Sequence, residues 1–193
     1  WRVFSSNMST LKVDTILKRT GTGVITLGQS GDTIDLSNPT SVTLNSDMKN
    51  TPAFSVNLTS TQSVSNSSET KVTHNNTLID TNSGWDSSNY RYTFPTTGKY
   101  LVTHSVRFES TSAARVISWV RKNGSSSDNL NTIETNPNSS GVNPSAGGSF
   151  IYSFTANDYI EHYVFQNAGS SKNIEVGSNH LICFLQATKL IGV

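Results

Sequence analysis

RYTFPTTGKYLVTHSVRF, Arg91 to Phe108, is the stretch whose reading decides the fold. Two aromatic-rich runs flank Pro95-Thr96-Thr97-Gly98, where proline pre-sets φ and glycine admits conformations a Cβ would forbid. Before the turn, Tyr90, Tyr92 and Phe94 alternate with Arg91 and Thr93. After it, Tyr100, Val102, His104, Val106 and Phe108 alternate with Leu101, Thr103, Ser105 and Arg107. A period of two sustained over so many residues is a strand signal. The spacing predicts a hairpin of two strands, the second long enough to need a sizeable sheet around it.

The rest of the chain agrees with an all-β reading. The sequence has 193 residues, including 31 Ser, 24 Thr and 20 Asn, against 14 Lys and Arg and 13 Asp and Glu. Polar but uncharged chains with short apolar runs favour strands joined by Ser- and Asn-rich turns. PAFSVNL from Pro52, KVTHNNTLID from Lys71, ARVISWVRKNG from Ala114, GGSFIYSFTAND from Gly147, YIEHYVFQN from Tyr159 and NHLICFLQATKLIG from Asn179 are further β-runs bounded by turn residues. Thr59–Ser68, Asn82–Asn89, Asn123–Gly147 and Asn167–Asn179 read as loops. With no convincing amphipathic helix, the pattern points to an antiparallel sandwich or jelly roll.

Residues 1–50 differ. VITL at Val24, TIDL at Thr33 and SVTL at Ser41 are short β-runs separated by Gly, Asn and Pro. They fit either a β-repeat shaft, whose apolar residues need neighbouring chains to cover them, or three strands of a meander. The expected domains are therefore an N-terminal attachment or shaft segment, 1–50, and a head, 51–193. Met8 opens MSTLKVDTI and reads as an alternative start, and no signal peptide is read at the N-terminus.

Chemistry-bearing motifs are sparse. His74, His104, His162 and His180 have no short ligand spacing to one another or to Cys183, so no zinc signature is read. Cys183, within an apolar run, is expected to be a buried structural thiol. Asp80, Asp86, Asp128 and Asp158 are isolated in sequence, which argues against a calcium cluster. GQSG at Gly28 is not a nucleophile elbow. No catalytic residue, metal or cofactor is expected. A formal net charge of +1 without Lys/Arg clusters gives no nucleic-acid footprint, and no apolar run is long enough for membrane insertion. Trp119 is expected in the core or an interface. Trp85, in a polar loop, fits equally a tucked ring or a ligand platform.

The order PAFSV, FPTTGKYLV, VRKNG, SFTANDYIEHYVFQN and a terminal apolar strand resembles the complement/tumour-necrosis-factor-like globular head, from about Pro52 to Leu190. The last strand departs from that family, reading LICFLQ where many members have Phe-x-Gly. No Gly-x-y collagen stalk is present. The resemblance implies a homotrimeric jelly roll packed through its first, last and SFIYSF strands, with Phe54, Phe150, Tyr152, Phe154 and Phe184 at the trimer interface. Viral fibre proteins are similar to this head, and MSTLKVDTILKRTGTGVITLGQSGDTIDL looks like the attachment region of bacteriophage structural proteins. The function expected on that likeness is a non-enzymatic virion protein, a trimeric capsid or tail fibre used for host attachment, adhesion or decoration. Its partners would be other virion proteins, through the N-terminal segment, and a host glycan or protein. The alternative is a secreted complement-like lectin or adhesion domain. Loops carry recognition on such scaffolds, and counting strands places Ser125, Asp128, Asn129, Asn136, Asn138, Lys172 and Asn173 together at one tip.

Overall fold

The computed structural model describes residues 51–110, 114–138, 141–177 and 181–191; the expected shaft at 1–50 lies outside them. The strands, in chain order, are β1 (Ala53–Asn57), β2 (Gln62–Val64), β3 (Thr70–Lys71), β4 (Asn76–Asp80), β5 (Trp85–Asp86), β6 (Arg91–Thr93), β7 (Gly98–Arg107), β8 (Val116–Lys122), β9 (Asn129–Thr135), β10 (Ser145–Phe154), β11 (Tyr159–Gln166), β12 (Lys172–Ile174) and β13 (Phe184–Lys189). One sheet runs β10-β7-β13-β1-β4. The second runs β5-β6-β11-β8-β9, with β3 added on β11, and β12 pairs with β2. All described pairings are antiparallel. The result is the expected all-β sandwich, consistent with a jelly roll. Among the described residues no helix is long and apolar enough to cross a membrane.

The Pro95–Gly98 turn does not close a hairpin. β6 pairs with β5 and β11, whereas β7 pairs with β10 and β13. The turn carries the chain from one sheet to the other, and the aromatic residues on either side meet across the gap. Phe94 stacks on Phe154 at 3.9 Å and meets Tyr100 edge-on at 4.5 Å between ring centroids. The Tyr100 hydroxyl donates to the Thr96 carbonyl at 2.8 Å, which satisfies its polar tip at the rim of the core.

Two further expectations change. Asn123–Gly147 is not one long loop, because β9 lies within it and pairs with β8. The β8–β9 turn begins at Asn123 and Gly124, both with positive φ (50° and 68°), a conformation that Asn and Gly tolerate best. The segments read as loops at Thr59–Ser68 and Asn167–Asn179 likewise hold the short strands β2 and β12.

The sheets enclose two apolar clusters. One contains Phe54, Val56, Tyr92, Phe94, Tyr100, Val102, Val120, Phe154, Ile160, Leu185 and Ala187. The other contains Leu58, Val64, Val72, Val106, Phe108, Val116, Ala146, Val164, Ile174 and Cys183. Of the four long strands that contribute to both, three have a polar residue at the inward position between them: His104 on β7, Ser118 on β8 and His162 on β11. A polar layer therefore crosses the sandwich between its two apolar halves.

Candidate functional site

The outward face of the five-stranded sheet leaves several apolar side chains uncovered. Period-two alternation turns Tyr100, Val102 and His104 inward and leaves Leu101 and Thr103 outward. The register sets Ile151 beside Leu101, Ser149 beside Thr103, Thr188 and Gln186 on β13 across from the same two residues, and Ile79 beside Ser55. Ile79, Leu101 and Ile151 are 52 %, 37 % and 61 % exposed. Ala53, Ser55, Ile79, Leu101, Gln186 and Thr188 line a shallow depression of about 270 Å³ on this face. Its middle is uncharged; Lys99 and Arg107 stand at the two ends of β7.

The interface residues expected from sequence divide between the two faces of this sheet. Phe54 and Phe154, at 2 % and 1 % exposure in the single chain, fill the core. They are corrected from interface to interior residues, because their strand parity turns them toward the opposite sheet. Phe150 and Tyr152 share the parity of Phe154 on β10. Phe150 packs against the core, and Tyr152 is an exposed ring tilted on Phe154 at 4.9 Å. Phe184, partly buried on β13, has the parity of Gln186 and Thr188 and belongs to the outward face.

The tip residues also separate. Ser125 and Asp128 lie in the β8–β9 turn, which is closed by Ser125 N donating to the Lys122 carbonyl and Lys122 N donating to that of Asp128. Asn129 opens β9, and its Oδ1 accepts from Arg121 Nε at 3.0 Å. Asn136 and Asn138 follow β9, roughly 20 Å along an extended strand of this length. Lys172 and Asn173 lie on β12, where Lys172 Nζ donates to the Ser110 carbonyl and Asn173 is held by Glu109. The two groups occupy opposite ends of the sandwich. Ser125 and Asp128 are at the end where Lys189 N donates to Pro52 O and Leu190 N to Lys99 O. Asn136, Asn138, Lys172 and Asn173 are at the far end. The single-tip expectation fails because β9 was counted as loop, which changes the parity of the count.

A second depression, of about 310 Å³, lies on the outer face of the other sheet against Glu69, Arg115, Ile117, Trp119, Asn129 and Phe165. Trp119 is buried, as expected, and stacks on Tyr163 at 6.0 Å. The Arg121 guanidinium covers the Tyr163 ring at 4.1 Å and pairs with Glu69. Trp85 is a tucked ring, half-buried and stacked on Phe54 at 6.3 Å. Asp158 is a turn former. Partial burial opposes its charge, but hydrogen bonds from Asn123 Nδ2 and Thr155 N, with Lys122 at 3.1 Å, outweigh it and hold the carboxyl below its ordinary value.

Sequence reasoning missed one grouping. His74, His162 and Cys183, distant in sequence and all buried, each bring one potential metal-ligand atom within 4.8 Å of the others. The signal available was the polar residue at the inward position of β7, β8 and β11, flanked on both sides by inward valines or isoleucines.

The head is similar to the Eiger TNF of S. frugiperda, with a TM-score of 0.55 at 14 % identity, covering 73 % of this chain and 93 % of that one. It is similar to murine APRIL with a TM-score of 0.55 at 16 % identity, covering 72 % and 98 %. The globular domain of zebrafish complement 1qA gives a TM-score of 0.48 at 20 % identity, covering 72 % and 96 %. No protein-family model matches the sequence, and no curated protein is similar to it. The fold is thus the expected TNF-like all-β sandwich. The bacteriophage assignment, with its fibre role and virion location, is corrected. The similar solved structures named above are an insect TNF and a murine protein, not virion proteins.

Proposed function

We propose that residues 51–193 form a secreted adhesion or signalling head that assembles as a homotrimer and binds a partner molecule through loops distant from Pro52 and Leu190. The observation that carries this reading is the uncovered face built on Ile79, Leu101 and Ile151. Burying isolated apolar surface on a soluble sheet face is worth about 25 cal/mol per Å², and interface cores are depleted in charge, as this one is. Lys99 and Arg107 would fall at the rim, where charge is tolerated. Asn136, Asn138 and Lys172, at the end opposite Pro52 and Leu190, are the partner-facing groups in this reading. Residues 1–50 would be a stalk whose short apolar runs are covered by the other copies. Light scattering on the full chain at micromolar concentration tests the assembly: a mass of three chains is expected, and a stable monomer would overturn it.

A further inference from the structure

The polar layer ends in an arrangement of donors that a hydrogen-bond network alone leaves incomplete. His104 Nε2 faces two acceptors, the Asn131 carbonyl at 3.1 Å and its Oδ1 at 2.9 Å, and so carries the proton. His104 Nδ1 therefore accepts from the Ser118 hydroxyl at 2.8 Å. Having donated its one proton, Ser118 Oγ accepts from His162 Nε2 at 2.8 Å. His162 Nδ1 then accepts from His74 Nε2 at 3.0 Å. Each ring is neutral in this chain, consistent with complete burial. His74 Nδ1 is left with a lone pair, buried and without a hydrogen-bond partner. Orphaned buried acceptors of this kind are rare in native proteins.

The Cys183 thiol stands in the same place. We propose that His74, His162 and Cys183 form a buried site for one monovalent copper ion. Two imidazoles and a thiolate are a donor set for soft and borderline transition metals. His162 has the support that metal-bound histidines characteristically show, its other ring N–H being fixed on Ser118, which is itself held by His104. The three ligands are set by backbone hydrogen bonds from separate segments. Val72 N donates to the His162 carbonyl, Asn75 N to that of Asn57, and Leu58 N to that of Cys183. Charge selects the ion. Leu58, Val72 and Val164 belong to the apolar cluster that contains Cys183, and among the described residues no second anionic ligand joins the group. A thiolate with Cu⁺ is neutral there, whereas a divalent ion would bury a net positive charge. On binding, the Cys183 S–H bond breaks, its proton leaves to solvent and an S–Cu bond forms. The His74–His162 hydrogen bond gives way to two N–Cu bonds, with His74 keeping its single proton on the nitrogen that does not ligate. One proton is released per copper, and no electron is transferred.

The test is anaerobic titration of the full chain with Cu⁺ held by bicinchoninate. One copper per chain and one released proton are expected, with binding at least a hundredfold weaker in Cys183→Ala. X-ray absorption of the copper-loaded wild-type chain, which does not depend on any variant folding, should give one sulfur and two imidazole nitrogens around the ion. Substoichiometric uptake, unchanged affinity in Cys183→Ala, a copper shell without sulfur, or preferential uptake of Zn²⁺ would overturn the proposal.

Discussion

His104 from one sheet and His162 from the other meet edge to face, 5.4 Å between ring centroids, with Ser118 Oγ bridging their ring nitrogens. This contact ties the sheets together through a polar layer between the two apolar clusters, and it makes the fold sensitive to acid. Burial lowers His74 to about 3, and lowers His104 and, further, His162. In the unfolded chain these groups take up protons near 6.5. Their contribution to stability is present above that value and is lost as pH falls from about 6.5 toward the depressed folded values, at up to ~1.4 kcal/mol per pH unit for each histidine. Urea midpoints at pH 7 and pH 4.5 should show the drop. Equal midpoints would contradict the neutral buried layer.

Ser118→Ala should cost about 1–3 kcal/mol, because it leaves His104 Nδ1 and the His162 N–H buried without partners. A denaturant series at pH 7.5 measures this. A variant as stable as wild type would mean that the bridge contributes nothing.

Tyr100 and Phe154, fully buried in the aromatic cluster, should each cost about 3–5 kcal/mol on replacement by alanine. Tyr152→Ala, at an exposed ring on the edge strand β10, should cost much less. Thermal midpoints for the three variants check which way β10 faces, and equal losses would reverse the assignment.

Replacing Asn123–Gly147 with a tight turn should destabilise the head severely. It removes β9, whose Leu130 and Ile133 pack on the two apolar clusters and whose Asn131 anchors His104. Gly147→Ala is a milder probe of the same region. A Cβ there would sit 2.4 Å from the His104 carbonyl oxygen, an overlap worth about 1–3 kcal/mol in a packed sheet. Far-UV circular dichroism and melting separate the two effects, and a deletion variant with native stability would show β9 to be dispensable.

The long strands were legible because β7, β8, β10, β11 and β13 alternate or carry sustained apolar runs. The Pro95–Gly98 turn was legible as a reversal but not as a crossing between sheets, since turn chemistry does not name a strand's partner. β9 was hidden because NLNTIET is largely polar and lies at a sheet edge, where one face needs few apolar residues. That omission moved Ser125, Asp128 and Asn129 to the wrong end. The family resemblance put Phe54 and Phe154 at an interface, yet strand parity sends them inward. The histidine layer was visible only as three polar residues at inward positions. Sequence does not reveal that these strands face one another, or that Cys183 and the segment carrying His74 close on the same point.

The most direct test of the assembly face is the mass of Ile151→Glu and Leu101→Glu variants by light scattering, with circular dichroism to verify folding. Both side chains are exposed in the single chain, so a charge there should leave the fold intact. If copies pack through this face, the wild-type chain runs as a trimer and each variant as a folded monomer. Variants that remain trimeric with unchanged mass would contradict the assignment of this face to assembly.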